Sequence, residues 1–320
     1  MFALALLSAA PLLADDGAAS IAQGGLVVMG HEPRITMAKE VLRISLDKVV
    51  VDYDFRNDSD QDVTTEVAFP IPDYEFALEE VEPKSQGFDD FKLWIDGALT
   101  PCSVETRALV KGKDLTAALT ALHVDVGSFA HVTVDHVFKD LERLSTSQRA
   151  QLTRTGLIDN DGVTAWTVRK KYYWRQTFPA HAIVHIRHEY TPVDGAENSI
   201  RYGLGPDPVK EETARIGSMC VEGPLRKTLV EIANSNDRDA VYFYVDFILT
   251  TANTWKGPIE DFTLIVERPH EKDVKANYVS FCWDAPVTKF DADHFEAYAT
   301  NFVPKKELRV GFFEESKSSF

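Results

Sequence analysis

Cysteine is scarce in this sequence, and its 3 cysteines, at positions 102, 220 and 282, stand far apart. None of them belongs to a C-x-x-C pair, so their spacing indicates neither a structural zinc site nor a dithiol redox centre. The chain also lacks the G-x-S-x-G and H-E-x-x-H motifs and has no glycine-rich phosphate loop. From these absences we expect no metal ion, no cofactor and no catalytic set that a motif would reveal.

Cationic residues are too few to balance the acidic ones: 34 lysines and arginines stand against 50 aspartates and glutamates, for a net charge of -16 at pH 7. A surface with that charge repels phosphate backbones, so we expect no nucleic-acid partner. Long apolar runs are absent after residue 14, whereas a membrane-spanning helix needs about 20 apolar residues in succession. We therefore expect no membrane span in the mature protein.

The N-terminal segment, residues 1–14, has the sequence MFALALLSAAPLLA and carries no charged side chain. An apolar core followed by small residues is typical of a secretory signal peptide, with cleavage here after Ala14. No lysine or arginine precedes the apolar run, which departs from the usual pattern. We predict a signal peptide over residues 1–14 and a periplasmic or secreted location; the alternative is a disordered apolar tail on a cytosolic protein.

In an oxidising compartment, two of the three cysteines can pair with each other. Cys220 and Cys282 both lie in the C-terminal half of the chain, and we predict that they form a disulfide. Cys102 is then the odd thiol. The alternative, three buried free thiols, stays open at this point.

Alternation of apolar and polar residues predicts strands through most of the chain. In residues 49–69, the apolar positions on both sides of a polar turn share one parity: Val49, Val51, Tyr53, Phe55, Val63, Val67 and Phe69. That pattern predicts an antiparallel hairpin with one solvated face. Residues 91–110 predict a second hairpin, which turns at Asp96 and Gly97.

Residues 111–162 have a helical periodicity instead, with Asp114 and either Ser145 or Ser147 as candidate N-caps. We interpret this segment as a helical insertion between two β domains, residues 15–110 and residues 163–320, the second with one helix of its own. The predicted fold class is therefore mainly β with a helical insertion, built as two β-sandwich-like antiparallel domains.

The chemically densest stretch is residues 166–190, WTVRKKYYWRQTFPAHAIVHIRHEY. Its even-numbered positions are mainly apolar and its odd-numbered positions mainly polar, as in strands with one dry face and one wet face. One strand of that length would measure about 80 Å at about 3.3 Å per residue, which is too long for a domain. Because Pro179 cannot donate to a ladder, we predict two strands on either side of it, about 165–177 and about 181–190.

The parity of this stretch decides how its polar residues can act. Arg175, His181, His185 and Arg187 project from a solvated or domain-facing surface, where they are candidates for contacting an acidic partner or the neighbouring domain. Four residues of strand separate His181 from His185 by about 13 Å, so one metal ion cannot bind both directly. His188 falls on the dry face, where we expect a hydrogen-bonded core histidine.

Trp255 differs from the other tryptophans because it lies in a turn, NTWKGP, rather than within a predicted strand. An aromatic ring that remains accessible, with a polar group beside it, suits a recognition surface. We therefore take Trp255 and Lys256 as a second candidate binding surface.

Seven segments in this order resemble the bacterial family called domain of unknown function 4424: GGLVVM, FRNDSDQDVTTEVAFPIPD, LWIDG, YYWRQTFPA, HEYTP, TWKGPIEDFTLIVE and VSFCWD. The resemblance implies an exported, largely β bacterial protein whose biochemical role is unknown, and it brings no catalytic residues with it. Residues 49–107 are also similar to the VIT domain of extracellular inter-alpha-trypsin-inhibitor-type proteins, which implies a β-sandwich interaction module.

These features predict an exported protein of unknown biochemical role, and first of all a non-catalytic binding or interaction module whose partner is an unknown protein or a glycan. Two alternatives stay open. One is a secreted hydrolase that uses carboxylates or histidine from both domains in a cleft between them. The other is a structural component of the envelope that assembles through exposed sheet edges.

Overall fold

The computed structural model describes residues 16–22, 26–75, 88–129, 142–158, 164–193, 195–197, 199–269 and 276–317. The predicted signal peptide lies outside these residues. The strands are, in chain order, β1 (Gly17–Ala22), β2 (Leu26–Met29), β3 (Ile35–Ile44), β4 (Val49–Asn57), β5 (Val63–Pro70), β6 (Tyr74–Glu75), β7 (Lys92–Ile95), β8 (Ala98–Thr100), β9 (Ser103–Val110), β10 (Lys113–Asp114), β11 (Thr167–Phe178), β12 (Ile183–Tyr190), β13 (Gly195–Glu197), β14 (Arg238–Phe247), β15 (Ile259–Glu267), β16 (Tyr278–Phe281), β17 (Val287–Lys289), β18 (His294–Phe302) and β19 (Leu308–Lys317). The α-helices are α1 (Thr116–Ala121), α2 (Thr146–Arg154), α3 (Arg201–Leu204), α4 (Lys210–Gly217) and α5 (Gly223–Ala233).

The strands form three sheets. A 7-stranded sheet has the order β10-β9-β11-β5-β1-β2, with β6 also beside β11; an 8-stranded sheet has the order β17-β18-β15-β3-β4-β12-β7-β8; a 4-stranded sheet has the order β13-β14-β19-β16. Among the described strand pairs, only β15 and β3 run parallel. The predicted fold class, mainly β with antiparallel sheets, is confirmed.

The 7-stranded and 8-stranded sheets pack with their dry faces together. Phe55 of β4 lies with its ring 5.8 Å from that of Phe178 of β11. Phe69 of β5 lies 4.7 Å from the ring of His188 of β12. Interdigitated side chains from two facing sheets are the core of a β-sandwich.

Two short arches carry the chain between these sheets. Residues 58–62 connect β4 to β5, and residues 179–182 connect β11 to β12. Since β4 pairs with β12 and β5 pairs with β11, the two arches lie side by side. The buried amide of Asn57 joins them, because its Nδ2 donates to the carbonyl oxygens of Gln61 and Phe178.

The prediction of a hairpin over residues 49–69 is therefore wrong. Both strands exist with the expected parity, but β4 belongs to the 8-stranded sheet and β5 to the 7-stranded sheet. Alternation shows only that each strand has one dry face, and this pattern is compatible with a hairpin and with an arch. In an arch, the second strand lies in the facing sheet and packs its apolar side against the apolar side of the first strand. The second hairpin is confirmed over residues 92–100 only: β7 pairs with β8 across Asp96 and Gly97, whose φ angles of 46° and 80° suit a tight two-residue turn. The rest of the predicted hairpin, residues 103–110, is β9 and belongs to the 7-stranded sheet.

The interpretation of residues 166–190 as two strands divided at Pro179 is confirmed. β11 and β12 end and begin within two residues of the expected bounds, and their even-numbered residues are buried. The division also separates them in space, since each strand belongs to a different sheet.

The 4-stranded sheet packs against α3, α4 and α5 around a second core that includes Ile216, Leu229, Ile232, Tyr242 and Phe313. The predicted disulfide between Cys220 and Cys282 is confirmed and closes a sequence separation of 62 residues. Cys102 is a half-buried free thiol.

Helices α1 and α2 lie within residues 111–162, and Ser145 caps α2 through a capping box with Gln148. Within that segment, residues 130–141 and 159–162 lie outside the described residues. How the chain divides into domains stays a prediction. The strand pairing is relevant to this predicted division, because each of the two larger sheets contains strands from residues 15–110 and strands from residues 163–320.

Candidate binding site on the 8-stranded sheet

The wet face of the 8-stranded sheet carries charged residues on β4 and β12 in direct register. Asp52 stands opposite Arg187, and Asp54 stands opposite His185. Cβ atoms of directly opposed residues lie about 4.5–5.5 Å apart, so such side chains meet. Nδ1 of His185 is 2.6 Å from Oδ1 of Asp54, and Nη1 of Arg187 is 3.1 Å from Oδ1 of Asp52.

The next strand, β7, adds an aromatic ring to this face. Trp94 stands opposite Arg187, whose guanidinium carbon lies 5.9 Å from the centre of the indole ring. Together these strands enclose a concave volume of about 360 Å³. We name it the sheet-face groove, defined by the side chains of Asp52, Asp54, Trp94, His185 and Arg187.

The cations around the sheet-face groove contact carboxylates of the same sheet. Nη1 of Arg43 lies 2.7 Å from Oδ2 of Asp52, so Asp52 bridges two guanidinium groups. Nζ of Lys48 lies 2.9 Å from Oε1 of Glu189, and its ammonium group holds the pKa of Glu189 below its usual range. Arg187 also approaches Glu189, at 3.7 Å. The charges therefore cancel locally, and the groove presents ordered hydrogen-bonding groups more than net charge.

The wet face continues toward the arches. Arg56 of β4 makes two short bonds to Glu260, at 2.7 and 2.8 Å, and a third to Asp58. The guanidinium of Arg56 holds the pKa of Asp58 well below its usual range. Lys256, one of the predicted binding residues, lies with its Nζ 2.9 Å from Oδ2 of Asp58.

The predicted binding residues are only partly brought together. His185 and Arg187 line the sheet-face groove. His181 lies in the arch of residues 179–182, with Nε2 2.9 Å from Oδ1 of Asp60. Arg175 is 74% exposed on the outer face of the 7-stranded sheet, where it lies 3.5 Å from Glu66. A sandwich thickness therefore separates Arg175 from the groove.

The prediction of Trp255 as part of a recognition surface does not match its position. Its side chain is 1% exposed, and its ring centre lies 4.9 Å from that of Phe55. Its Nε1 donates to the carbonyl oxygen of Asp16 at 2.5 Å, while Thr254 of the same turn accepts from the backbone N–H of Ala18. The NTWKGP turn therefore holds the start of β1, and Trp255 is a core residue.

His188 lies on the dry face, as predicted, and is fully buried. The rings of Tyr53, Phe69, Phe91 and Trp174 surround it at 4.7–5.5 Å between centres. Burial lowers the pKa of His188 to about 3. The expected hydrogen bond is not formed within the described residues: the nearest carboxylate oxygen, Oδ1 of Asp16, is 3.5 Å from Nε2.

A second concave site lies where the 8-stranded and 4-stranded sheets meet. Its volume is about 260 Å³, and Cys282 of the disulfide is one of its walls. We name it the disulfide pocket, lined by Leu249, Cys282, Trp283, Asp284, Ala285, Ala299, Phe302, Val303, Lys305, Lys306, Glu307 and Leu308. No sequence pattern indicated it, because its walls come from residues 249, 282–285 and 299–308.

Clusters of metal-ligating side chains and membrane-spanning helices are both absent from the part of the chain that the structure describes. No three histidine, cysteine, aspartate or glutamate side chains there stand close enough to share a metal ion. None of the described helices combines the length and the apolar character that crossing a membrane requires.

The fold and the groove define a mainly β, disulfide-containing protein with a polar concave site on one sheet. The chain belongs to the family described as domain of unknown function (DUF4424), whose model matches residues 14–310. No protein of curated function matches the sequence. One solved structure to which the chain is similar is that of a "putative nutrient binding protein" from Legionella pneumophila subsp. pneumophila str. Philadelphia 1. It is 16% identical, with a TM-score of 0.44, over 88% of this chain and 68% of that one, and a likeness at that level carries no argument about the ligand.

Proposed function

We propose that this is an exported, non-catalytic binding protein that takes a neutral, hydroxyl-rich ligand, a glycan, in the sheet-face groove. One observation carries the proposal. Three adjacent strands place the ring of Trp94 beside two carboxylates and a guanidinium group within one concave volume of about 360 Å³.

The chemistry of a sugar matches this set of groups. Its C–H face packs on an indole ring, and its hydroxyl groups can donate to carboxylates and accept from guanidinium. The contacts of Asp52 with Arg187 and of Asp54 with His185 hold these polar groups in one arrangement before a ligand arrives, which lowers the entropy lost on binding. Because the charges around the groove cancel, an ionic ligand would gain no net Coulomb attraction there.

The contacts of Asp52 count against its use as a general acid or base, because such a group must be free to exchange a proton with the substrate. Asp52 already accepts from Arg43 and Arg187. His185, which contacts Asp54 through Nδ1, has the arrangement of an oriented base, so an assay for turnover separates binding from hydrolysis. Export is supported by the disulfide, since such bonds persist mainly in oxidising compartments.

The test is a titration of the mature chain against an array of neutral and anionic oligosaccharides, with hydrolysis followed in the same wells. We expect a neutral glycan to bind without turnover, and Trp94→Ala and Arg187→Ala each to weaken it about tenfold.

Arg175→Ala is the matched control, because it removes an exposed, carboxylate-paired arginine from the opposite side of the sandwich. Its affinity should equal that of the wild type. Binding of no glycan, equal losses in Arg175→Ala, or turnover of the bound glycan would each contradict the proposal.

A further inference from the structure

One ladder of directly opposed residues starts in the sheet-face groove and continues across the 8-stranded sheet. Trp94 of β7 stands opposite Arg187 of β12, which stands opposite Asp52 of β4. Asp52 stands opposite Val41 of β3. Val41 in turn stands opposite Thr263 of β15, and Thr263 stands opposite Tyr298 of β18. We name this ladder the wet-face row, defined by Trp94, Arg187, Asp52, Val41, Thr263 and Tyr298.

The side chains of the wet-face row share one side of the sheet. Alternate residues of a strand point to opposite faces. The chain neighbours of the row lie in the core, as Phe262 and Leu264 do on either side of Thr263 and as Ala297 does before Tyr298. The members of the row are themselves half-buried or exposed. The row is therefore an accessible track that runs across the strands.

The far end of the wet-face row carries a second aromatic ring. Tyr298 is 54% exposed, and Asp261, its diagonal neighbour on β15, interacts with its hydroxyl group. Thr300, opposite Asp261, is exposed and adds another hydroxyl group. An accessible ring beside a carboxylate is also the arrangement of Trp94 and Asp52 in the sheet-face groove. The sheet thus offers two places where the C–H face of a sugar can pack on a ring.

The distance between the two rings sets the length of a ligand that uses both. Five steps in the sheet order separate β7 from β18. Neighbouring strands lie about 4.7–4.9 Å apart, so these two strands are about 24 Å apart. A disaccharide covers only one ring, whereas an oligosaccharide that lies across the strands reaches both.

The order of side chains along the row favours a glycan over the other macromolecules. Residues that dominate protein–protein binding cluster near the centre of an interface, but here the rings stand at the two ends. Between them, Asp52 and Thr263 present a carboxylate and a hydroxyl group, which can bind sugar hydroxyls. The one cation of the row, Arg187, contacts Asp52 at 3.1 Å, so a phosphate backbone would find little uncompensated positive charge.

We infer, on the basis of the glycan function proposed above, that the ligand is an extended neutral oligosaccharide that crosses the strands along the wet-face row. One end packs on Trp94 in the sheet-face groove, and the other end packs on Tyr298. The groove alone accounts for the binding of a short glycan; Tyr298 adds affinity only for a long one.

The test is isothermal titration of the mature chain with disaccharides and hexasaccharides of the cello-, malto- and chito-oligosaccharide series. In at least one series, the hexasaccharide should bind more tightly than the disaccharide. The ratio should exceed the number of registers in which a hexasaccharide can fill one disaccharide-sized subsite. Tyr298→Ala should weaken binding of that hexasaccharide about tenfold, because it removes the second ring, and should leave the disaccharide unchanged. Trp94→Ala should weaken binding of both.

Tyr202→Ala is the matched control. Tyr202 is also 54% exposed, but it lies on α3, which packs against the 4-stranded sheet. Its removal should leave both affinities at their wild-type values. Tyr298→Phe keeps the ring and should retain most of the affinity for the hexasaccharide. Circular dichroism melting shows whether each variant is folded.

The outcomes separate this inference from the proposed function. A hexasaccharide that gains no more than its registers explain, or that binds equally to Tyr298→Ala and Tyr202→Ala, would overturn the role of the wet-face row. The glycan proposal would survive that result if Trp94→Ala still weakened binding of the disaccharide. Binding of neither length in any series would overturn both.

Discussion

The 8-stranded sheet has two faces, which the same strands build from alternate residues. On its wet face, His185 and Arg187 of β12 meet carboxylates of β4 in solvent. On its dry face, which the even-numbered residues of β12 form, the same strand contributes His188, which is fully buried among aromatic rings. His185 and His188 are three residues apart, yet their environments differ, because water surrounds the imidazole on the wet face and packed aromatic rings surround the one on the dry face. Four experiments test how far the two faces differ.

The largest difference in the free energy of unfolding is expected between the alanine variants of two tryptophans, one on each face. Trp255→Ala should lower the free energy of unfolding by about 3–5 kcal/mol, because it removes a buried ring that packs on Phe55 and Phe178 and that binds the backbone of Asp16. Trp94→Ala, on the wet face, should cost about 1 kcal/mol or less. Urea denaturation followed by circular dichroism measures both, and equal losses would mean that the two rings are packed alike.

The burial of Trp255 shows a limit of sequence reasoning. A turn usually lies at the surface, and nothing within NTWKGP indicates otherwise. The indole is buried because Asp16, at a sequence separation of 239 residues, supplies its acceptor and because the dry face of β4 supplies its packing. Contacts at that separation are set by topology, which local alternation does not encode.

The next difference concerns the arches. Asn57→Ala should lower the free energy of unfolding by about 2–3 kcal/mol, since it leaves the carbonyl oxygens of Gln61 and Phe178 without their shared donor. Asp60→Ala is the matched change on the solvent side of the same arch. The side chain of Asp60 is 95% exposed and, among the described residues, forms an ion pair with His181 alone. Its expected cost is about 0.5 kcal/mol or less. Thermal unfolding compares the two, and a larger loss in Asp60→Ala would contradict the role of Asn57.

Strand content, the dry parity of β11 and β12, the break at Pro179 and the disulfide could all be predicted from the sequence, because each depends on local periodicity or on the choice among three cysteines. The sheet to which each strand belongs could not. The same alternation in residues 49–69 fits a hairpin and an arch, and the hydrogen bond that joins Asn57 to Phe178 of the neighbouring arch spans 121 residues. The disulfide pocket was likewise invisible, since its walls come from three separate segments.

The third difference concerns how the free energy of unfolding depends on pH. Burial lowers the pKa of His188 to about 3, whereas imidazole in an unfolded chain titrates near about 6.5. The unfolded state therefore binds the proton first, and the free energy of unfolding falls as the pH drops from about 6.5 toward about 3. Between pH 7 and pH 5 the expected loss from this group is about 2 kcal/mol.

Chemical denaturation at several pH values checks this expectation. His188→Phe should flatten the slope between pH 5 and pH 7, while His185→Gln, on the wet face of the same strand, should flatten it much less. The carboxylate of Asp16 lies 3.5 Å from Nε2 of His188 and would favour the imidazolium form if it outweighed burial. If acidification makes the wild type more stable relative to His188→Phe, the attraction of the Asp16 carboxylate outweighs the effect of burial.

The smallest effect is expected from the ion pairs of the wet face. Arg187 and Asp52 lie 3.1 Å apart, yet their side chains are 43% and 38% exposed, so water screens their attraction. A double-mutant cycle of Arg187→Ala and Asp52→Ala should give a coupling of about 0.2–1 kcal/mol in the free energy of unfolding, smaller still in 1 M NaCl. The cycle of Arg175→Ala and Glu66→Ala on the other sheet is the control. Its coupling should be smaller, because the contact is longer, at 3.5 Å, and because the side chain of Arg175 is 74% exposed. A coupling well above 1 kcal/mol that persists in salt would mean that the wet face stabilises the fold as the dry face does. A coupling within the expected range would mean that little stability depends on the contact between Arg187 and Asp52. These side chains are then free to bind a ligand.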